Sequence, residues 1–302
     1  MRRWRLAGSV CLIVALAACG PSSDERGPRE PLPAPRVELS DADRKLWASA
    51  RPIHDAVPVL LYREVATEDF ARHMVLLDHA DYETVELDEF IRFVNGKKVA
   101  LPPRPLLLTF DGGRLDTWRG SDAILRELDF NAVVFVDVGC VEEEHRECLT
   151  WVELERLQAG GRWDVQLQSG TGGRQIQYGP APEDVGPFYA YRGSEEVLGG
   201  WRERVFSDIT YGEEQLSHNV NGYRPLAFAP PYGNYGQAGT NDRRIPRELL
   251  ARLELSFEAV FTQDRSGFAR AGAANPLGRF EITRDVTDEE LHALLASAPH
   301  KR

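Results

Sequence analysis

The chain has 302 residues, 42% hydrophobic and 27% charged, with a formal net charge of −11. This is ordinary globular composition, and the length allows one or two domains. An acidic chain of this kind is not built to seek nucleic acid.

The N-terminus reads as a sorting signal rather than as fold. Arg2, Arg3 and Arg5 precede an apolar run from Val10 to Ala18. A basic start and a short apolar stretch make a secretory signal, too short for an ordinary transmembrane helix. Its end, Leu16-Ala17-Ala18-Cys19, resembles a bacterial lipobox. That resemblance implies a signal peptide over 1–18, lipidation of Cys19 and an exported, membrane-anchored lipoprotein of a bacterial cell envelope. A plain signal peptide is the alternative. Losing residues 1–18 removes three positive charges and no negative ones, so the mature charge is −11 − 3 = −14. Without a polybasic patch for anionic lipid, the membrane tie would be the lipid anchor itself. Residues 19–56 are rich in Pro, Ser, Arg and Glu and read as a flexible tether, with a short helical turn at Leu46-Trp47.

A single domain is expected over 57–298. A strand over 57–62 leads to Thr67, a candidate N-cap. Phe70, Met74 and Leu77 then recur at helical spacing. A short strand over 82–87 precedes a helix with Phe90, Ile91 and Val94, capped by Asp88 and stopped by Asn95-Gly96. The run Leu106-Leu107-Leu108-Thr109-Phe110-Asp111-Gly112-Gly113 reads as a strand buried on both faces. Asp111 falls where that strand surfaces, a usual place for a working residue in α/β folds, although capping the turn is the plainer role. Ser121 or Asp122 is the candidate cap of the next helix, and 132–136 is the next buried strand. Thr150 and Glu153 form a capping box, and 163–167 is another strand. Residues 169–221 form a long polar stretch that reads as loops over the strand ends. Strands are expected at 226–228 and 257–261. Pro246 marks a helix start, and Thr287 with Glu290 boxes the last helix. Strands alternating with helices imply a mainly parallel sheet.

Cys140 and Cys148, with seven residues between them in an exported chain, are a candidate disulfide; two free thiols are the alternative. Their spacing does not suit zinc. Six of the seven histidines fall outside the expected strand ends, and His145 lies between the two cysteines. His73 and His292 sit on expected helices and read as surface residues.

Thr109-Phe110-Asp111-Gly112-Gly113 resembles the Thr-Phe-Asp-Asp-Gly motif of the polysaccharide deacetylase (NodB homology) family. Val57-Pro58-Val59-Leu60-Leu61-Tyr62 resembles that family's first strand, and residues 130–139 its third. Ala229-Pro230-Pro231-Tyr232-Gly233 resembles its late Pro-Tyr-Gly turn. The resemblance covers roughly residues 57–295 and implies a distorted (β/α)7 barrel. It also implies a metal-bound water attacking an acetamide, with Asp111 as general base. The family's metal ligands, however, are an Asp and two His. Their matching positions hold Gly112, Gln168 and Gly172, and Ala229 stands where an Arg often precedes the late turn. The usual metal is therefore not expected, and the resemblance points to a divergent member.

Asp111, Arg114, Asp137, Gln166, Gln168 and Ser169 are expected to converge from adjacent strand ends. Tyr189, Tyr191, Arg192, Trp201, Pro231, Tyr232 and Tyr235 are expected to border them. Aromatic faces beside amides and acids suit sugar recognition, although Trp163 and Trp201 are equally well read as core. Asp116, Asp137 and Asp164, with Asp111 and the Gln166 and Gln168 amides, offer oxygen ligands for a hard cation; taken singly, each acid is better read as a cap or an ion-pair partner. Three functions remain open. One is a carbohydrate-directed hydrolase with a degenerate metal site. The second is a non-catalytic glycan-binding pseudoenzyme serving polysaccharide synthesis or export, and the third is a structural lipoprotein.

Overall fold

The computed structural model describes residues 29–53, 55–142, 147–220 and 222–298. The expected signal segment, Cys19, His54, His145 and His300 lie outside the described residues. Two compact units divide between Glu30 and Pro31, and everything below belongs to the second.

In chain order the elements are α1 (Asp41–Trp47), β1 (Ala56–Tyr62), α2 (Thr67–His79), β2 (Glu83–Thr84), α3 (Leu87–Val94) and β3 (Pro105–Gly112). Then come α4 (Leu115–Glu127), β4 (Ala132–Asp137), α5 (Val138–Glu142), α6 (Trp151–Gly160), β5 (Trp163–Ser169), β6 (Gln175–Gln177), β7 (Val185–Pro187) and α7 (Leu198–Asn219). The last are β8 (Ala227–Phe228), α8 (Ile245–Ser256), β9 (Ala259–Thr262), β10 (Phe268–Arg270), β11 (Leu277–Gly278), β12 (Phe280–Ile282) and α9 (Asp288–Ala296).

Alternation along the strands builds the barrel. Val57, Val59, Leu107, Val133, Phe135, Ala227, Ala259 and Phe261 face inward and form one cluster. Leu60, Tyr62, Leu108, Phe110, Val134, Val165 and Leu167 face outward and pack under the helices. The main sheet runs β10-β1-β3-β4-β5-β8-β9-β11, parallel throughout except for the antiparallel edge pair β10-β1. Strand β12 returns to β1 in parallel register, Leu60 opposite Phe280. Strands β11 and β12 flank Arg279, so one split strand bridges first and last. The result is a nearly closed, distorted (β/α)7 barrel, as expected.

Three expectations are corrected. The tether ends far sooner than residue 56. The Leu32 amide donates to the Arg119 carbonyl (2.7 Å), α1 buries Trp47, and Ile53 is buried and donates to the Pro103 carbonyl (2.8 Å). Val37, Leu39, Leu46, Trp47 and Ile53 pack onto the core, which composition alone could not show. Next, α4 begins at Leu115, so Ser121 and Asp122 are not its cap. Ser121 Oγ donates to the Thr117 carbonyl and Asp122 accepts from the Trp163 indole. Finally, the polar stretch 169–221 contains the β6–β7 hairpin and the 22-residue helix α7. Trp201, Val205, Ile209, Gly212 and Leu216 are buried along one face of that helix. The capping boxes at Thr150–Glu153 and Thr287–Glu290 form as expected.

Candidate functional site

A cleft of about 490 Å³ opens at the C-terminal ends of the strands. Its walls include Arg63, Glu64, Asp111, Gln168, Pro231 and Tyr232, together with Tyr62, Gly112, Arg114, Asp116, Thr117 and Gly173. Two of its residues have left-handed backbones without being glycine, Glu64 (φ 52°) and Tyr232 (φ 60°). Strain of this kind persists only where the surroundings impose it, and it gathers at working sites.

Asp111 ends β3 on the inward face. Arg279, completely buried at the barrel seam, donates to both its carboxylate oxygens, Nη1 to Oδ1 at 2.7 Å and Nη2 to Oδ2 at 3.0 Å. Arg63 lies 3.8 Å from the same carboxylate and pairs at 3.1 Å with Glu281. Asp111 is therefore an ion-paired acid rather than a free one.

Gln168, also inward on β5, is only 7% exposed. It lines the cleft, and among the described residues no hydrogen bond engages its side-chain amide. Its amide atoms are not among the buried atoms left without a partner, so they open to the cleft and can donate to and accept from what enters it.

Beyond Gln168 the chain is held by a buried carboxylate from α7. Asp208 accepts from the Gly170 amide (3.1 Å), the Thr171 amide (2.6 Å), Thr171 Oγ1 (2.8 Å) and the Tyr189 hydroxyl. Burial, then the adjacent Asp208 charge, pushes the Tyr189 hydroxyl well above its ordinary pKa, so it stays a donor. α7 can approach this closely because Gly212 and Gly170 present no side chains at the contact. A Cβ on Gly212 would lie 2.7 Å from Leu167 Cδ1, and one on Gly170 2.3 Å from the Asp208 carbonyl oxygen.

The residues at the three metal positions do not fit a metal. Gly112 (φ 88°) has no ligating side chain, and Gln168 carries a neutral amide. A side chain on Gly172 would meet Phe188 Cδ1 at 2.8 Å and both Tyr189 Cζ and Asp208 Oδ2 at 2.9 Å. Among the described residues no group of three His, Cys, Asp or Glu converges as a metal site.

Of the residues expected to converge, the cleft brings together Asp111, Arg114, Gln168, Pro231 and Tyr232. The Tyr232 hydroxyl donates to the Gly173 carbonyl (3.0 Å) at the rim. The others are elsewhere. Asp137 accepts from Ser169 Oγ (2.9 Å), and Ser169 is fully buried. Gln166 lies deeper in the barrel, accepting from the Leu226 and Ala227 amides and donating to Asp164 and Tyr223. Asp164 starts β5, at the opposite end from the cleft, and burial pushes its carboxyl up. Tyr191 stacks on Tyr178, with ring centres 4.4 Å apart, and Arg192 pairs with Asp242 (3.1 Å). Tyr189, Trp201 and Tyr235 are core, as is Trp163. His73 is also buried, not on the surface. It lies 3.4 Å from the Tyr62 hydroxyl and 3.5 Å from Asp288. Cys140 and Cys148 are joined by a disulfide, with Cα atoms 6.1 Å apart.

Solved structures sharing this architecture include IcaB from Ammonifex degensii, at 22% identity and TM-score 0.64, covering 81% of this chain and 99% of that one. A de-N-acetylase from Aggregatibacter actinomycetemcomitans has 16% identity and TM-score 0.68, covering 80% and 100%. BC0361, a polysaccharide deacetylase from Bacillus cereus, has 16% identity and TM-score 0.56, covering 80% and 69%. The fold is that of the polysaccharide deacetylases. No protein-family model matches the chain, and no curated protein matches it in sequence.

Within the deacetylase fold, Arg279 is the residue that sequence reading missed. It stands 168 positions from its partner, and nothing local marks it. Arg63 and Glu64, directly after the first strand, had a signal: strand ends carry function in such sheets.

Proposed function

We propose that this protein binds a glycan in the strand-end cleft and does not carry out metal-assisted amide hydrolysis. The solved structures named above as deacetylases support a carbohydrate partner. The Gln168 amide, open to the cleft and without a hydrogen bond among the described residues, carries the reading, because a sugar hydroxyl can both donate to it and accept from it. The exposed ring of Tyr232 at the rim offers a face for a pyranose. With the Cys19 lipid anchor, the protein would present this cleft at a bacterial envelope membrane, beside a polysaccharide synthesis or export system. Titration with envelope-type oligosaccharides tests the reading. Binding should occur in the presence of chelator and fall about five- to hundredfold in Gln168→Ala, by the usual cost of losing a polar contact, about 1–3 kcal/mol. Binding that needs added metal would sink it. Cys19→Ala should move the protein into the soluble fraction.

A second reading, residual carbohydrate deacetylation, is favoured by one observation: Asp111 still lines the cleft. Release of acetate from an N-acetylated oligosaccharide, abolished by Asp111→Asn, would replace the first reading.

A further inference from the structure

The free charge of the cleft is acidic. Arg63 is engaged by Glu281 and Asp111, Arg279 by Asp111, and Arg114 by Glu147 (2.9 Å) and Asp116 (3.5 Å). Glu64 is exposed on the cleft wall, and among the described residues no hydrogen bond or ion pair engages it. Among the residues lining the cleft, three carboxylates (Glu64, Asp111, Asp116) stand against two guanidinium groups (Arg63, Arg114), 2 − 3 = −1. The cations are neutralised in place, and the acid left over is Glu64, on a backbone held at φ 52°. In the same cleft the Gln168 residue is 7% exposed, and among the described residues nothing pairs its amide, so the cleft also offers a partner to an uncharged polar group. Tyr232, 48% exposed, completes it with an aromatic face.

A ligand matching all three features has a ring to stack, hydroxyls to pair with an amide and a positive charge. We infer that the cleft takes a glycan bearing free amines, a cationic amino-sugar polymer, in preference to its N-acylated or anionic counterparts. This rests on the glycan-binding reading and specifies its ligand. The acidity of the whole chain, −11 overall, acts in the same direction at long range.

Calorimetric titration of the full chain with a β-linked glucosamine hexamer and with its N-acetylated counterpart separates the possibilities. The amine hexamer should bind about tenfold more tightly at low salt, and 1 M salt should close most of that gap. Glu64→Gln should weaken the amine hexamer up to about fivefold, as for an exposed charge pair, and leave the acetylated one unchanged. Glu64 is exposed, so an unchanged melting temperature shows that the variant folds. If both hexamers bind equally and Gln168→Ala weakens both, the preference for amines is wrong and the glycan reading stands. If the acetylated hexamer binds more tightly, the inference is likewise overturned. If neither hexamer binds, both the inference and the glycan reading fall.

Discussion

Arg279 reaches inward from the barrel seam and holds both carboxylate oxygens of Asp111, at 2.7 and 3.0 Å. The Arg279 side chain is fully buried and depends on this carboxylate as its counterion, while Asp111, a tenth exposed on the cleft, also has Arg63 at 3.8 Å. Arg279→Met should strand the carboxylate and destabilise the fold by about 3–5 kcal/mol, whereas Arg279→Met with Asp111→Leu should recover most of that loss. Urea unfolding of the three proteins measures it. A single variant as stable as the parent would show that the pair does not hold the seam.

Metal chemistry should resist restoration. Gly112→Asp, Gln168→His and Gly172→His together return the expected ligand types, but residue 112 has a left-handed backbone. The volume at residue 172 is filled by Phe188, Tyr189 and Asp208. Neither the parent nor the triple variant should carry stoichiometric zinc after dialysis, and chelator should leave the parent's melting temperature unchanged. One zinc per chain in the triple variant would mean that α7 yields its place, contrary to the packing described.

Asp208 serves the loop after β5 as a metal might have done, by gathering several donors at one point. Asp208→Ala leaves two backbone amides and two hydroxyls without their acceptor. The expected loss is about 2–4 kcal/mol, against about 1 kcal/mol for Tyr189→Phe. Thermal unfolding should rank the two in that order; the reverse ranking would reject Asp208 as the hub.

His73 supplies a pH dependence. Burial lowers its pKa below the ordinary 6.5, partly offset by Asp288 and Asp69, while Arg72 reinforces the lowering. The unfolded chain then binds a proton that the folded chain refuses, so stability is present above about pH 6.5 and is lost as pH falls through the folded value. His73→Gln should flatten the stability profile between pH 7 and pH 5. An unchanged slope there would assign the acid sensitivity to another group.

Much of the barrel was readable because its strands are apolar on both faces. The run into Asp111 is bounded by glycines, and Thr150 and Thr287 carry their boxes openly. Helix α7 was hidden by composition. Gly199, Gly200 and Gly212 and many polar residues dilute a pattern, Trp201-Val205-Ile209-Leu216, that does have helical spacing. Of these, Gly212 serves close approach to β5, a tertiary need that local propensity opposes. The site was readable where residues adjoin strand ends, as with Asp111, Gln168 and Tyr232. Gln166 was misplaced because alternation gives its face but not its depth: it points into the barrel two residues below Gln168. Arg279 was invisible for a different reason, since its role exists only once the two ends of the sheet meet.

The meeting of those ends also orders assembly. Closure pairs Leu60 with Phe280, 280 − 60 = 220 residues apart. Contacts so distant form after local ones, because the intervening chain must first lose its freedom. Until β10 and β12 arrive, β1 keeps one open edge and Asp111 has no buried partner. The segment around Arg279 is therefore the one that completes both the barrel and its charge pairing. A chain that stops short of it leaves an unpaired edge and an orphan acid at the same place, two features that direct such a chain toward aggregation or proteolysis.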